Sequence, residues 1–150
     1  MKQLVQFIQE KLKINSNSKV TKNKEKSSLW NSLDSLIRCK EDAVIFDDED
    51  IQKEYHVADM TISYNYDTKW LTLDKIIIRG HNQGYGTTFM NDLCEWLDKN
   101  KAKICLTPTN AFGSNVNKLR KFYKRFGFVE NTGKHSDFTT REKMYRYYNS

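Results

Sequence analysis

Apolar positions change their spacing along the chain, and the changes mark its elements. Within residues 1–14, Leu4, Val5, Phe7, Ile8, Leu12 and Ile14 recur among polar neighbours at helical spacing, which predicts a helix. The stretch "NSNSKVTKNKEKSS" (15–28) is polar and biased in composition, and predicts a loop. A second helix is predicted from about Ser28 to Arg38, with Leu29, Trp30, Leu33, Leu36 and Ile37 as its apolar side. "AVIF" (43–46), set between acidic flanks, predicts a short strand. From Val57 the period shortens to two: Ala58, Met60, Ile62, Tyr64 and Tyr66 alternate with polar residues, as in a half-buried strand. "DTK" (67–69) reads as a turn into a second strand, "WLTLDKIII" (70–78), giving an antiparallel hairpin.

Beyond a glycine-rich loop the helical period returns. Phe89, Met90, Leu93, Cys94, Trp96 and Leu97 fall on one side of a helix, and Asp92, Glu95, Asp98 and Lys99 fill most of the rest. "AKICLTP" (102–108) predicts a buried strand ended by the chain's single proline. In "SNVNKLRKFYKRFGF" (114–128), Val116, Leu119, Phe122, Tyr123 and Phe126 share a helix face, and Gly127 stops the helix. "FVENTG" and "EKMYRYY" supply a closing pair of strands around the polar stretch "KHSDFTT". The order predicts one mixed α/β domain with a helix packed between neighbouring strands. Residues 1–50 are expected to be a helical and irregular segment of that domain, and residues 51–150 its core.

Composition narrows the class. At 150 residues with 38% hydrophobic and 13% aromatic content, the chain can bury a real core, which excludes a disordered protein. No apolar run approaches the ~20 residues of a membrane-spanning helix. The N-terminus lacks a signal peptide's continuous apolar stretch, so a cytoplasmic protein is expected, with no membrane partner. Cys39, Cys94 and Cys105 are widely separated and form no CxxC pair, so neither a disulfide framework nor a metal site is expected. The net charge of +6 is unevenly spread. Residues 41–60 hold eight acids and one base, whereas residues 101–150 hold eleven bases and three acids. A basic surface attracts nucleic acid, acidic proteins or polyanionic cofactors, but a solvated face is the simpler reading of such charge.

The glycine cluster "HNQGYG" (81–86) lies between a strand and a helix, where phosphates are often held. A dinucleotide fingerprint needs a third glycine, but Thr87, Thr88 and Phe89 follow Gly86, and the Gly-Lys-Ser/Thr ending of a nucleotide-triphosphate loop is absent too. What survives is a sharp turn onto a helix whose first N–H groups are unpaired and lie at its positive end. That arrangement suits a pyrophosphate, and equally a tight connection.

Taken with "YKRFGF" (123–128), the loop resembles the GNAT-type N-acetyltransferases, which use acetyl-coenzyme A (acetyl-CoA). That family carries Arg/Gln-x-x-Gly-x-Gly/Ala after its fourth strand and Tyr-x-x-x-Gly-Phe at the end of a later helix, with an apolar strand between, here "KICLTP". The resemblance covers about residues 57–148 and implies a mostly antiparallel sheet flanked by helices. It implies acetyl-CoA as co-substrate, with the pyrophosphate on the backbone of Gln83, Gly84, Tyr85, Gly86, Thr87 and Thr88. His81 stands where the family has Arg or Gln, and Val116 where many members have Asn. Asn117, beside Val116, is taken as a cofactor contact. A looser likeness to phage-type acetyltransferase-like proteins adds no substrate.

Acetyl transfer to an amine needs a held cofactor, a neutral amine, a stabilised oxyanion and a protonated leaving sulfur. The resemblance makes Tyr123 the general acid, for which a pKa of ~10 keeps the proton at neutral pH. A core tyrosine is the alternative, because Phe122 and Phe126 share its face. The resemblance also places an oxyanion-binding N–H near Ile76, Ile77 or Ile78. Asp74 is the single acid of that strand, on the side of Ile76 and Ile78 if the pleat is regular, and is the expected base. An exposed structural acid is an equal reading. His135 and Asp137 are outside candidates, and His56 is expected to be structural. The acidic block 41–60 falls where family members shape the acceptor side, which would suit a cationic amine. The expected activity is direct acetyl transfer to a protein lysine, an N-terminus or a small amine. The alternative is a catalytically inactive relative that binds a protein or nucleic acid.

Overall fold

The computed structural model describes residues 27–46, 48–80, 83–110 and 115–149. The helix expected over residues 1–14, nearly all of the polar loop after it, and His81 lie outside the described residues. Elements are numbered within the described part.

Helix α1 (Ser28–Arg38) starts where Ser27 accepts the Trp30 N–H at 3.1 Å. Strand β1 (Ala43–Phe46) follows, then helix α2 (Glu49–Tyr55), which the apolar pattern does not reveal. Asp48 caps α2 by accepting from the Ile51 N–H at 3.0 Å, and also accepts from the Ser32 hydroxyl at 2.8 Å, tying α2 to α1. The hairpin forms as expected from β2 (Val57–Tyr64) and β3 (Trp70–Ile78), although Tyr66 belongs to the turn. Helix α3 (Tyr85–Lys99), strand β4 (Lys103–Leu106), helix α4 (Val116–Lys124), and the short strands β5 (Val129–Glu130) and β6 (Met144–Arg146) complete the order. Gly127, at φ +91°, ends α4 in the left-handed region.

The six strands form one sheet in the order β1-β2-β3-β4-β6-β5. Only β3 and β4 run parallel, joined through α3; every other pair is antiparallel. The chain is thus a mixed α/β domain with a mostly antiparallel sheet. One sheet face carries Ile45, Met60, Ile62, Leu71, Leu73, Ile104 and Met144, packed with apolar residues of all four helices. Trp96, wholly buried, donates its Nε1–H to Asp34 at 2.8 Å, and Trp30 donates to the Asp92 carbonyl at 2.8 Å, fastening α3 to α1. The other face bears a small cluster of Trp70, Cys105 and Tyr145 with Val129 against it. The loop between β5 and β6 reaches this cluster through Thr139, which accepts the Trp70 indole N–H at 2.9 Å.

Two residues break the hairpin ladder. Val57 faces Ile78 but Asp59 faces Ile77, leaving Ala58 as an extra residue in β2; Thr61 faces Lys75 but Ile62 faces Leu73, leaving Asp74 as an extra residue in β3. The pleat is therefore not regular at Asp74. Leu71 and Leu73 face the helices before the bulge, and Ile76 and Ile78 after it. Asp74 turns to the opposite face, where its carboxylate accepts the Ser63 hydroxyl at 2.7 Å. The expectation that Asp74 shares a side with Ile76 and Ile78 is corrected accordingly.

Candidate functional site

The parallel pairing of β3 and β4 lasts three residues, Trp70 to Thr72 against Lys103 to Cys105. Beyond it the strands part. The bulge at Asp74 redirects β3, and Pro108, which has no N–H to donate, follows the end of β4. The parting leaves a cleft lined by residues 73–76 of β3, residues 106–109 after β4, and Leu119 and Tyr123 of α4. Along residues 73–76 the edge of β3 that faces β4 has no ladder partner among the described residues. Ile76 lines this cleft, whereas Ile77 and Ile78 lie further along the strand.

Tyr123 is 7% exposed, and its ring packs against Phe122 and Phe128 at centroid distances of 5.4 and 5.5 Å. Its hydroxyl makes no hydrogen bond within the described residues. Burial alone pushes its pKa up to about 12, so the proton stays on oxygen across the neutral range. No fully buried side-chain oxygen or nitrogen among the described residues lacks a partner, so this hydroxyl is not fully buried, and Tyr123 is one of the residues lining the cleft. Tyr123 is both a core tyrosine and a cleft residue.

The glycine loop lies beyond the far end of β3. Gly84, at φ +77°, occupies the cap position of α3 with no side-chain cap, and nothing lies within 4 Å of where its Cβ would be. The N–H groups of Tyr85, Gly86 and Thr87 open a 15-residue helix without a capping oxygen, a ready anion site. The Thr88 N–H is not among the free donors, because it bonds the Gly84 carbonyl at 3.1 Å. A Cβ on Gly86 would stand 3.5 Å from the Phe122 ring, so the first turn of α3 abuts α4 beside Tyr123. Gln83 is exposed, within contact of the space above Gly80. His56 stacks on Tyr85 with centroids 3.8 Å apart and planes 16° apart, while its carbonyl accepts the Arg79 N–H at 2.7 Å. That stack fixes the Tyr85 ring at the loop.

Asn115 caps α4 by accepting the Lys118 N–H at 3.1 Å, and Asn117 is exposed on the helix without lining the cleft. Of the basic residues on α4, Arg120 and Lys124 pair with Glu130 at 3.6 and 3.5 Å.

Burial raises the Asp74 carboxyl above its usual range; the Ser63 bond opposes this, and the charge of Glu142 adds to the rise. Glu142 itself accepts the Thr107 hydroxyl, and the Lys143 N–H donates to the same Thr107 oxygen at 3.1 Å. Asp74, Glu142 and the buried Cys105 thiol thus gather on the face of the sheet away from the helices. Glu142 has no sequence signal of its own; only the β4–β6 pairing brings it beside Thr107. His135 and Asp137 lie in the loop between β5 and β6, away from the cleft lining. Asp137 is held by Thr139 and Tyr147, whose hydrogen bonds keep its carboxyl low. Acids of the 41–60 block do structural work: Asp42 accepts the Tyr66 N–H at 2.8 Å, Glu54 the Ser28 N–H at 3.1 Å, and Asp59 pairs with Lys75 at 2.6 Å.

No metal-binding cluster of His, Cys, Asp or Glu occurs among the described residues, and no described helix is long and apolar enough to cross a membrane. No family model, curated protein or solved structure matches the chain.

Proposed function

We propose that this chain is an acetyl-CoA-dependent N-acetyltransferase of the GNAT type. The observation that carries the reading is Tyr123, a largely buried residue that lines the cleft between two parting parallel strands and whose hydroxyl has no partner among the described residues. The uncapped turn at Tyr85, Gly86 and Thr87 supports it as a seat for the pyrophosphate. The residues fit the cofactor: free N–H groups for its phosphates, and an unpaired β3 edge along which a pantetheine amide can bond. Acetyl-CoA supplies an activated thioester carbonyl.

The protein's part follows from its groups. The unpaired edge of β3 around Ile76 donates an N–H to the carbonyl oxygen as negative charge develops. Asp74, or water held by it, takes the proton that the amine must lose before attack. As the new C–N bond forms and the C–S bond breaks, Tyr123 donates its proton to sulfur and is reprotonated, directly or through water, by the second proton that the attacking nitrogen sheds, while the proton taken by Asp74 passes to solvent. The products are an acetamide and free CoA thiol. Calorimetry with acetyl-CoA tests the reading: micromolar binding with 1:1 stoichiometry is expected, and no binding at millimolar cofactor would sink it in favour of a binding module.

A further inference from the structure

Around Trp70, on the sheet face away from the helices, aromatic rings gather that take no part in the cleft lining. Lys103 is the β4 partner of Trp70, and Tyr147, one residue past the β6 partner of Ile104, comes beside it. Trp70 and Tyr147 stack with centroids 6.0 Å apart and planes 29° apart, and the Lys103 ammonium lies 4.4 Å from the Trp70 centroid. Trp70 itself is buried, but Tyr147 is 49% exposed, and its hydroxyl donates to Asp137, which fixes the ring. The next residue, Phe138, is 95% exposed. Its loop is tightly bonded. The Asn131 amide nitrogen reaches the carbonyls of Asp137, Thr140 and Glu142 at 3.1, 3.3 and 3.0 Å, and its oxygen accepts the Asp137 N–H at 2.6 Å. On the other side of Phe138, Thr139 accepts the Trp70 indole N–H at 2.9 Å and donates its own N–H to Asp137 at 2.9 Å. An isolated exposed ring is ordinary. A ring held out by an ordered loop, beside a second half-open ring, offers a seat for flat apolar groups.

The charge around these rings is positive. The loop carries Lys134, Arg141 and Lys143, and Lys103 lies under it; none forms an ion pair with a described acid. Its two acids are engaged within the protein, Asp137 by Tyr147 and Thr139, and Glu142 by Thr107. A chain of phosphates with flat bases free to stack matches both properties at once. We propose that this surface binds single-stranded nucleic acid, with one base on Phe138, a neighbouring base on the exposed side of Tyr147, and the phosphates running past Lys103 and Lys134. The inference is independent of the acetyltransferase reading, since no residue is shared with the cleft. An anionic membrane would also meet the charge, but inserting Phe138 would press the Asp137 carboxylate against anionic head groups and leave the fixed Tyr147 ring without a role.

Fluorescence anisotropy of the full chain with a labelled oligothymidylate of about twelve nucleotides, at low salt, tests the proposal. Binding that weakens steeply with salt is expected. Phe138→Ala, at a position with almost no packing to lose, is expected to weaken binding about tenfold, the effect of one lost base stack, and Phe138→Tyr to retain it. Lys134→Gln is expected to reduce the slope of log affinity against log salt by about 0.7, as one lost phosphate contact requires. An abasic chain with the same phosphates should bind about tenfold more weakly than the oligothymidylate. Equal affinity for the abasic chain, or an affinity unmoved in Phe138→Ala, overturns the proposal, because charge alone would then account for binding. Binding to phosphatidylserine vesicles but not to the oligonucleotide overturns it in favour of a membrane face, and binding to neither overturns it outright.

Discussion

Replacing Tyr123 with Phe separates what its hydroxyl does for the fold from what it does in the cleft. A buried hydroxyl normally earns its place through a hydrogen bond, and removing such a group costs ~0.5–1.5 kcal/mol. The Tyr123 hydroxyl has no such bond, and its ring contacts with Phe122 and Phe128 survive in phenylalanine. Urea unfolding of Tyr123→Phe should therefore fall within about 0.5 kcal/mol of the parent. Its catalytic loss should be much larger. A positioned general acid contributes ~10²-fold or more, so kcat should drop about 100-fold, equivalent to ~2.7 kcal/mol of barrier. The pKa, pushed up to about 12 by burial, adds a signature: the parent should show no loss of this acid below about pH 11. A variant destabilised by more than about 1 kcal/mol would mean that the hydroxyl has a partner in the fold. An unchanged kcat would remove Tyr123 from the chemistry.

Asp98→Asn is expected to destabilise the chain by roughly 2 kcal/mol in urea unfolding, because it leaves the Arg146 guanidinium, 4% exposed, without its counter-charge. Burial pushes the Asp98 carboxyl up, but the bonds from Arg146 and the Asn149 N–H outweigh that and hold it below its usual range. Its stabilisation is thus complete above the unfolded value of ~3.9 and declines as pH falls towards the lower folded value, a dependence the variant should lose. Gly84→Ala should lower stability by about 1 kcal/mol through its φ of +77° alone, and Gly84→Asn by less, since asparagine tolerates the left-handed region; equal losses in thermal unfolding would contradict this. Burial pushes the Cys94 thiol up to about 11 and also raises Cys105, whereas Cys39 is partly exposed. A thiol reagent at pH 7.5 should modify Cys39 rapidly and the other two only on unfolding, as mass spectrometry of the labelled protein can verify.

The clearest elements in the sequence were those with a long unbroken period. Helix α1 runs over the expected Ser28–Arg38, since five apolar residues define its face and Ser27 supplies the cap. The hairpin was legible from its alternation and its turn, where the Asn65 side chain accepts the Thr68 N–H at 2.9 Å. Helix α2 escaped because seven residues offer only Ile51 and Tyr55 to the core, one helical turn apart. Ala58 was assigned to the core face because strict alternation assumes no extra residue, and the structure inserts one there. In the cleft, Tyr123, Asp74 and Ile76 were all named from sequence and do line one opening, although the bulge changes the side from which Asp74 acts. Glu142 was invisible, because its place depends on a strand pairing 36 positions away in the chain, where Lys143 meets Thr107.

The extra residue at Asp74 also sets a count that side-chain chemistry does not. Replacing Asp74 by another residue keeps Ile76 and Ile78 on the helix-covered face. Deleting it would restore a regular ladder, with Lys75 still opposite Thr61 and Ile76 still opposite Met60, so the faces would stay as they are while the bulge itself is lost. The parting of β3 from β4 is therefore tied to the number of residues in the strand. Deleting Asp74 should therefore spare the core faces and alter the cleft, whereas deleting a paired residue such as Lys75 would use up the bulge to keep the register and remove the Asp59 ion pair.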